Sequence, residues 1–210
     1  GEIYFDARTV ATEKEIKDYN NHLDFWEQRQ GYKINIVDGI ATIDSYEKAT
    51  LDVLGKLLEL SKSGNKGQRE LNQKFLKESK IVFADILKEQ AIREVFVNSH
   101  LLLIYGAAGT GKTTLINYIS NLMSNSRKLF LSKTHTAKQN LQRRIENPGS
   151  SADFVSIDSF TKRVTIQDYD IIFIDECSTI DNRTMAAFLG KVDLDTFLVL
   201  AGDIYQIESI

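Results

Sequence analysis

From about residue 81 the chain alternates between short apolar runs and longer stretches of helical periodicity. The runs at 101–105 (LLLIY), 128–132 (KLFLS), 170–175 (DIIFID) and 197–201 (FLVLA) have the length of single strands. They lack a strict polar alternation, which predicts strands buried on both faces. Segments 84–98, 111–124, 136–146 and 181–190 read as helices. This alternation predicts an α/β fold, a parallel sheet flanked by helices, where ligands collect beyond the carboxyl ends of the strands. Pro148-Gly149-Ser150-Ser151 marks a surface loop.

The first 80 residues read differently. Ile16, Tyr19, Leu23 and Trp26 fall at helical spacing, as do Leu51, Leu54 and Leu58. Between them, residues 33–44 hold two short apolar runs around Asp38-Gly39, a favoured two-residue hairpin turn. SKSGNKG (61–67) is the most linker-like stretch. The expectation is a mainly helical N-terminal extension over 1–80, followed by the α/β domain over 81–210. No catalytic chemistry is legible in the extension.

Hydrophobic residues make up 42% and charged residues 26% of the chain, the balance of an ordinary soluble globular protein. No apolar run has the length of a bilayer, so no membrane partner is expected. The lone Cys177 excludes an internal disulfide and a cysteine-rich metal site, which favours a reducing, cytoplasmic setting. A chain opening on Gly1 instead of methionine reads as an excised piece or one carrying a tag remnant. The net charge of −3 argues against a wholly basic nucleic-acid binder. From Arg127 to Arg163, however, eight Lys/Arg face three acids, a local +5 that could guide a polyanion to one face. Solvated helix surfaces give similar clusters.

Directly behind the first apolar run, residues 106–113 read GAAGTGKT. Gly106, Gly109 and Gly111, with Ala107, Ala108 and Thr110 between them, let the backbone N–H groups form an unobstructed nest for phosphates. A helix starting near Gly111 aims its free N–H groups and positive dipole end at the same anion. Lys112 supplies a full charge for the β- and γ-phosphates. The Thr113 hydroxyl suits Mg²⁺, and Thr114 continues the cradle. Strand, glycine turn and helix in this order predict binding of a nucleoside triphosphate.

Asp175-Glu176 closes the apolar run Ile171-Ile172-Phe173-Ile174. An aspartate there can reach the Mg²⁺ that Thr113 touches, directly or through water, and the adjacent glutamate can polarise the water that attacks the γ-phosphate. Gly202-Asp203-Ile204-Tyr205-Gln206 follows the last run, and Gln206 suits sensing of the γ-phosphate. Lys112, Glu176 and Gln206 are thus the expected catalytic residues, with Thr113 and Asp175 as the metal ligands.

In this order the segments resemble superfamily 1 helicases, in particular the RecD-like branch, over about residues 86–210. Gln90, within KEQAIREVF, matches the glutamine that reads adenine, and GAAGTGKTT matches motif I. LFLSKTHTAKQNLQRRI (129–145) resembles motif Ia, with Thr134, His135 and Thr136 facing nucleic acid. SIDSF (156–160) is similar to motif Ib and brings Ser159 and Phe160 to the strand. DECS (175–178) resembles motif II and LAGDIYQIESI (200–210) motif III. The resemblance implies the first RecA-like domain of a helicase or translocase that uses ATP and Mg²⁺ to move on single-stranded DNA. It also implies a second RecA-like domain of the parent chain, which supplies an arginine and the other half of the cleft.

Asp158 departs from the family, standing where a histidine is common; an acid there would repel a phosphate. His135 and Phe160 also admit plainer readings, a solvated loop histidine and a core phenylalanine. Two other functions fit the same motifs. One is a P-loop ATPase acting as a conformational switch in a defence or signalling assembly; the other is an RNA helicase.

Overall fold

The computed structural model describes residues 5–6 (backbone only), 11–79, 81, 86–163 and 168–203. Five parallel strands form the central sheet: β4 (Leu101–Tyr105), β5 (Lys128–Ser132), β6 (Ala152–Ser156), β7 (Ile171–Ile174) and β8 (Phe197–Gly202). Their order is β4-β8-β7-β5-β6. Strand β8, the last among the described residues, therefore lies between β4 and β7. Every residue of β5, β7 and β8 is buried, as expected of unbroken apolar runs covered on both sides.

Side chains alternate between two cores, one on each face of the sheet. Leu129, Leu131, Ile172, Ile174, Leu198 and Leu200 point to one; Phe130, Ile171, Phe173 and Val199 point to the other. On the second face Phe130 stacks on its register partners Phe154 and Phe173, with centroids 4.6 and 4.7 Å apart. Helix α5 (Ile86–Glu94) leads into β4, and α6 (Lys112–Leu122), α7 (His135–Arg144), α8 (Ile157–Thr161) and α9 (Asn182–Leu189) connect the successive strands.

The helix expected over 84–98 is described as Ile86–Glu94 and gives way before Phe96, which takes a left-handed φ of 59°. Strand β6 was not legible. It follows the Pro148–Ser151 loop directly, and its ADFVS sequence carries an exposed aspartate, as an edge strand tolerates.

In the N-terminal part, β1 (Phe5–Asp6), β2 (Ile34–Val37) and β3 (Ile40–Ile43) form an antiparallel sheet of order β1-β3-β2. Asp38 and Gly39 make the tight turn with φ of 52° and 79°, the left-handed pair that two-residue hairpins need. Helices α1 (Glu13–His22) and α2 (Phe25–Arg29) each open on a capping box, Thr12/Glu15 and Asp24/Glu27, so the periodicity at 16–26 belongs to two helices.

Helix α3 (Asp44–Lys62) packs along α9 and inserts the fully buried Leu60 into the first core. The Leu51, Leu54 and Leu58 stripe points outward. Arg183 at the start of α9 lies over the rings of Tyr32 (5.3 Å) and Tyr46 (4.4 Å), and Asn182 donates to Thr50 (2.9 Å). Residues 61–67 are pinned: Asn65 N–H donates to the Phe96 carbonyl (2.8 Å). Gly64 lies so close to Asn98 that a Cβ would sit 2.4 Å from its carbonyl carbon. Helix α4 (Gln68–Glu78) follows, and its buried Asn72 donates to the carbonyls of Arg93 and Val95. Among the described residues no helix is long and apolar enough to cross a membrane.

Candidate functional site

Strand β4 delivers the chain into the glycine turn and α6 carries it away. Gly109 (φ 79°) and Gly111 (φ 88°) take left-handed conformations that a side chain would strain. Gly106 N–H donates to the Gly202 carbonyl (3.3 Å), tying the turn to the end of β8. The Thr110 hydroxyl donates back to Ala107 O (2.9 Å). Lys112 Nζ donates to the carbonyls of Gly106 (2.5 Å) and Ala107 (3.0 Å), so its ammonium sits at the mouth of the turn.

Strand β7 ends in Asp175-Glu176. Since β8 alone separates β7 from β4, the acids and the turn face each other across roughly two strand spacings, about 10 Å. A cleft of about 680 Å³ fills this space, lined by Lys112, Thr113, Asp175, Glu176, Gly202 and Asp203 among others. Burial pushes the Asp175 carboxyl above its usual range, and the Glu176 charge pushes the same way; Lys112 and Arg144 oppose them. Glu176 is exposed and holds a left-handed backbone (φ 57°, ψ 37°), a strain of order 1–3 kcal/mol that clusters at functional sites. The Asp175 Oδ1 accepts the Glu176 N–H (3.0 Å), fixing the pair.

Among the described residues no group of three or more His, Cys, Asp or Glu could hold a metal alone. One half-buried carboxylate and one threonine hydroxyl suit an ion that takes its other ligands from water and phosphate, as Mg²⁺ does. Thr113 and Asp175 are the residues that could hold it.

The cleft also contains residues that the sequence did not single out. Arg143 and Arg144, at the end of α7, line it together with Asn117 of α6 and Glu146. Asn117 Nδ2 donates to the Arg144 carbonyl (2.8 Å), and its Oδ1 accepts the Glu146 N–H (2.9 Å). For Arg143 and Arg144 the sequence signals were a place in the basic zone and in the segment resembling motif Ia, neither of which pointed to the cleft; Asn117 carried no signal.

Of the expected nucleotide ligands, Ala108, Gly109, Gly111, Lys112, Thr113 and Thr114 line the cleft; Gly106, Ala107 and Thr110 complete the turn's internal bonds. Gln90 lies exposed on α5 and is not among the lining residues. Gln206 falls outside the described residues.

Thr134, His135 and Thr136 are exposed at the carboxyl end of β5, where the Thr134 hydroxyl caps α7 by accepting from Ala137 N–H (3.1 Å). Ser159 and Asp158 are exposed at the end of the neighbouring β6. Phe160 requires a correction. It is fully buried against Phe188, with centroids 5.7 Å apart, so it packs the core and offers no surface to a base.

The basic zone is also not one face. Lys128, fully buried at the amino end of β5, donates to the Pro148 carbonyl; Lys133 at the other end donates to the Thr179 carbonyl. Five residues of strand separate such ends by roughly 17 Å.

The family described as AAA domain matches residues 88–210, more than half of the chain. No curated protein matches it. Two solved structures share part of its outline, both of the PRRSV helicase nsp10. The methylated form is 16% identical with a TM-score of 0.37, covering 51% of this chain and 26% of that one. The other form is 12% identical with a TM-score of 0.39, covering 85% and 34%. The chain thus spans about a quarter to a third of those helicase chains. With the phosphate turn, the acid pair and the sheet that joins them inside the matched region, the chain belongs to the AAA domain family and folds as a P-loop NTPase.

Proposed function

We propose that this domain is the ATP-binding half of a superfamily 1 motor of the RecD-like branch, moving on single-stranded DNA. The observation that carries the reading is the sharing of one sheet end by two surfaces. The cleft of Lys112, Thr113, Asp175 and Glu176 opens beyond β4, β8 and β7. The exposed Thr134, His135, Thr136 and Ser159 stand beyond the adjacent β5 and β6. A change in the first is then felt in the second through one strand of separation.

In this reading the loop N–H groups and Lys112 bind the β- and γ-phosphates. Thr113 and Asp175 hold Mg²⁺, which when bound offsets charge on the phosphate oxygens. Glu176 orients the attacking water and accepts its proton. Arg144 adds a fixed positive charge. A second RecA-like domain would contribute an arginine in trans, an effect of about 10³–10⁵ in rate in related systems, so this chain alone should bind ATP and hydrolyse it slowly.

The test is fluorescence anisotropy of labelled single-stranded DNA with Mg-ATP present. Binding should weaken steeply with salt and fall further in a Thr134→Ala/His135→Ala variant. Preference for RNA of the same sequence in competition would move the reading to an RNA helicase, since only RNA offers 2′-hydroxyls. Nucleotide binding with no salt-sensitive affinity for either polymer would sink the motor and leave a conformational switch.

A further inference from the structure

Helix α5 touches the phosphate turn through a residue other than Gln90. Lys88 Nζ donates to the Thr110 carbonyl (2.9 Å), and a Cβ built on Gly111 would meet that ammonium at 3.2 Å. A second, smaller cleft of about 260 Å³ opens here, bordered by α5 and β4 where the larger one is bordered by β7 and β8. Its walls include Leu87, Ala91, Tyr105 and Leu115, with Lys88 beside them; Gly111 and Lys112 are common to both clefts. A nucleotide whose phosphates lie in the turn therefore has, on the α5 side, an apolar slot with an ammonium at its edge. Gln90 is not among the residues lining the slot.

A nucleobase lying in this slot would meet Lys88 as its polar group, and that group sets what is read. A glutamine side chain can donate and accept, so it can match the amino donor and ring acceptor of adenine; a lysine only donates. Guanine presents two neighbouring acceptors, O6 and N7, to such a donor, whereas adenine places an amino group beside its N7.

Resting on the nucleotide site proposed above, we infer that Lys88, and not Gln90, is the base-side contact, and that the site takes guanine nucleotides at least as tightly as adenine ones. The test is calorimetry of the full 210-residue chain with the β,γ-imido analogues of ATP and GTP in Mg²⁺. The GTP analogue should bind as tightly as the ATP analogue or more so. Gln90→Ala should change both by less than about twofold, and Lys88→Met should weaken the GTP analogue by about tenfold, the scale of one charge-assisted hydrogen bond. Lys88→Arg, which keeps a donor, should recover most of the loss.

Tenfold preference for the ATP analogue that vanishes in Gln90→Ala would overturn the inference. So would equal losses for both analogues in Lys88→Met, the mark of a residue that only holds the turn. If the wild-type chain bound neither analogue, the nucleotide-site reading itself would fail.

Discussion

Asn117 Nδ2 donates to the Arg144 carbonyl oxygen at 2.8 Å. The helix that leaves the phosphate turn thereby fixes the end of the helix that leaves β5, and with it an arginine facing the same cleft. Arg144→Ala should weaken Mg-nucleotide binding about tenfold or more, since hydrogen bonds to charged groups contribute roughly 1.5–3 kcal/mol. Its melting temperature without nucleotide should hardly move, because the side chain is exposed. Asn117→Ala should cost about 0.5–1.5 kcal/mol of stability and reproduce part of the affinity loss. Calorimetric titration and thermal melts separate the two effects; unaltered affinity in Arg144→Ala would remove the residue from the site.

Lys112 occupies the mouth of the turn. Mg-ATP at about 100 times its dissociation constant should stabilise the wild-type fold by about 2.7 kcal/mol. For a domain this size that is roughly a 5–10 °C rise in Tm. Lys112→Ala should largely abolish the rise in a differential scanning experiment. An equal rise in the variant would place the phosphates elsewhere.

Burial raises the Asp175 pKa. A carboxyl whose folded pKa lies above its unfolded value favours the fold while protonated, and that contribution is lost as pH rises through the folded pKa. At neutral pH the ionised Asp175 therefore costs stability. Asp175→Asn should raise the apo Tm at pH 7, with the gain shrinking as pH falls into the carboxylate range, while Mg²⁺-dependent tightening of nucleotide binding disappears. A lower apo Tm in Asp175→Asn at pH 7 would contradict the desolvation account.

Gly202 ends β8, between the ends of β4 and β7. A Cβ there would stand 2.9 Å from Cys177 Sγ and 3.4 Å from Tyr105 Cε1. Gly202→Ala should cost about 1–3 kcal/mol, the scale of overpacking. Adding Cys177→Ala should return part of it, and a double-mutant cycle in denaturant reads the coupling; strict additivity would show that the two do not meet. Burial also lifts the Cys177 thiol from 9.0 to about 11. Stability from the neutral thiol is intact below pH 9 and is lost as pH rises through 11, so iodoacetamide should label it at neutral pH only on unfolding.

The phosphate turn, the acid pair and the strands flanking them were legible because their chemistry is local. Glycines at 109 and 111 are needed for left-handed backbone, and short unbroken apolar runs such as Ile171–Ile174, ended by acids, suit a strand covered on both faces. Hairpin 34–43 was legible for the same reason, through Asp38-Gly39. What the sequence left open depends on which segments meet. Strand β8 inserts between β4 and β7, a non-local pairing that sets the width of the cleft and puts Gly202 under Cys177. The run of α7 back toward α6 brings Arg144 to the cleft although it lies 32 positions beyond Lys112. Rotation about one helical axis puts Lys88 on the slot and leaves Gln90 outside it; burial behind Phe188 takes Phe160 from the surface. Local chemistry is written in a few adjacent residues, but these juxtapositions arise only when distant segments bury their apolar faces together.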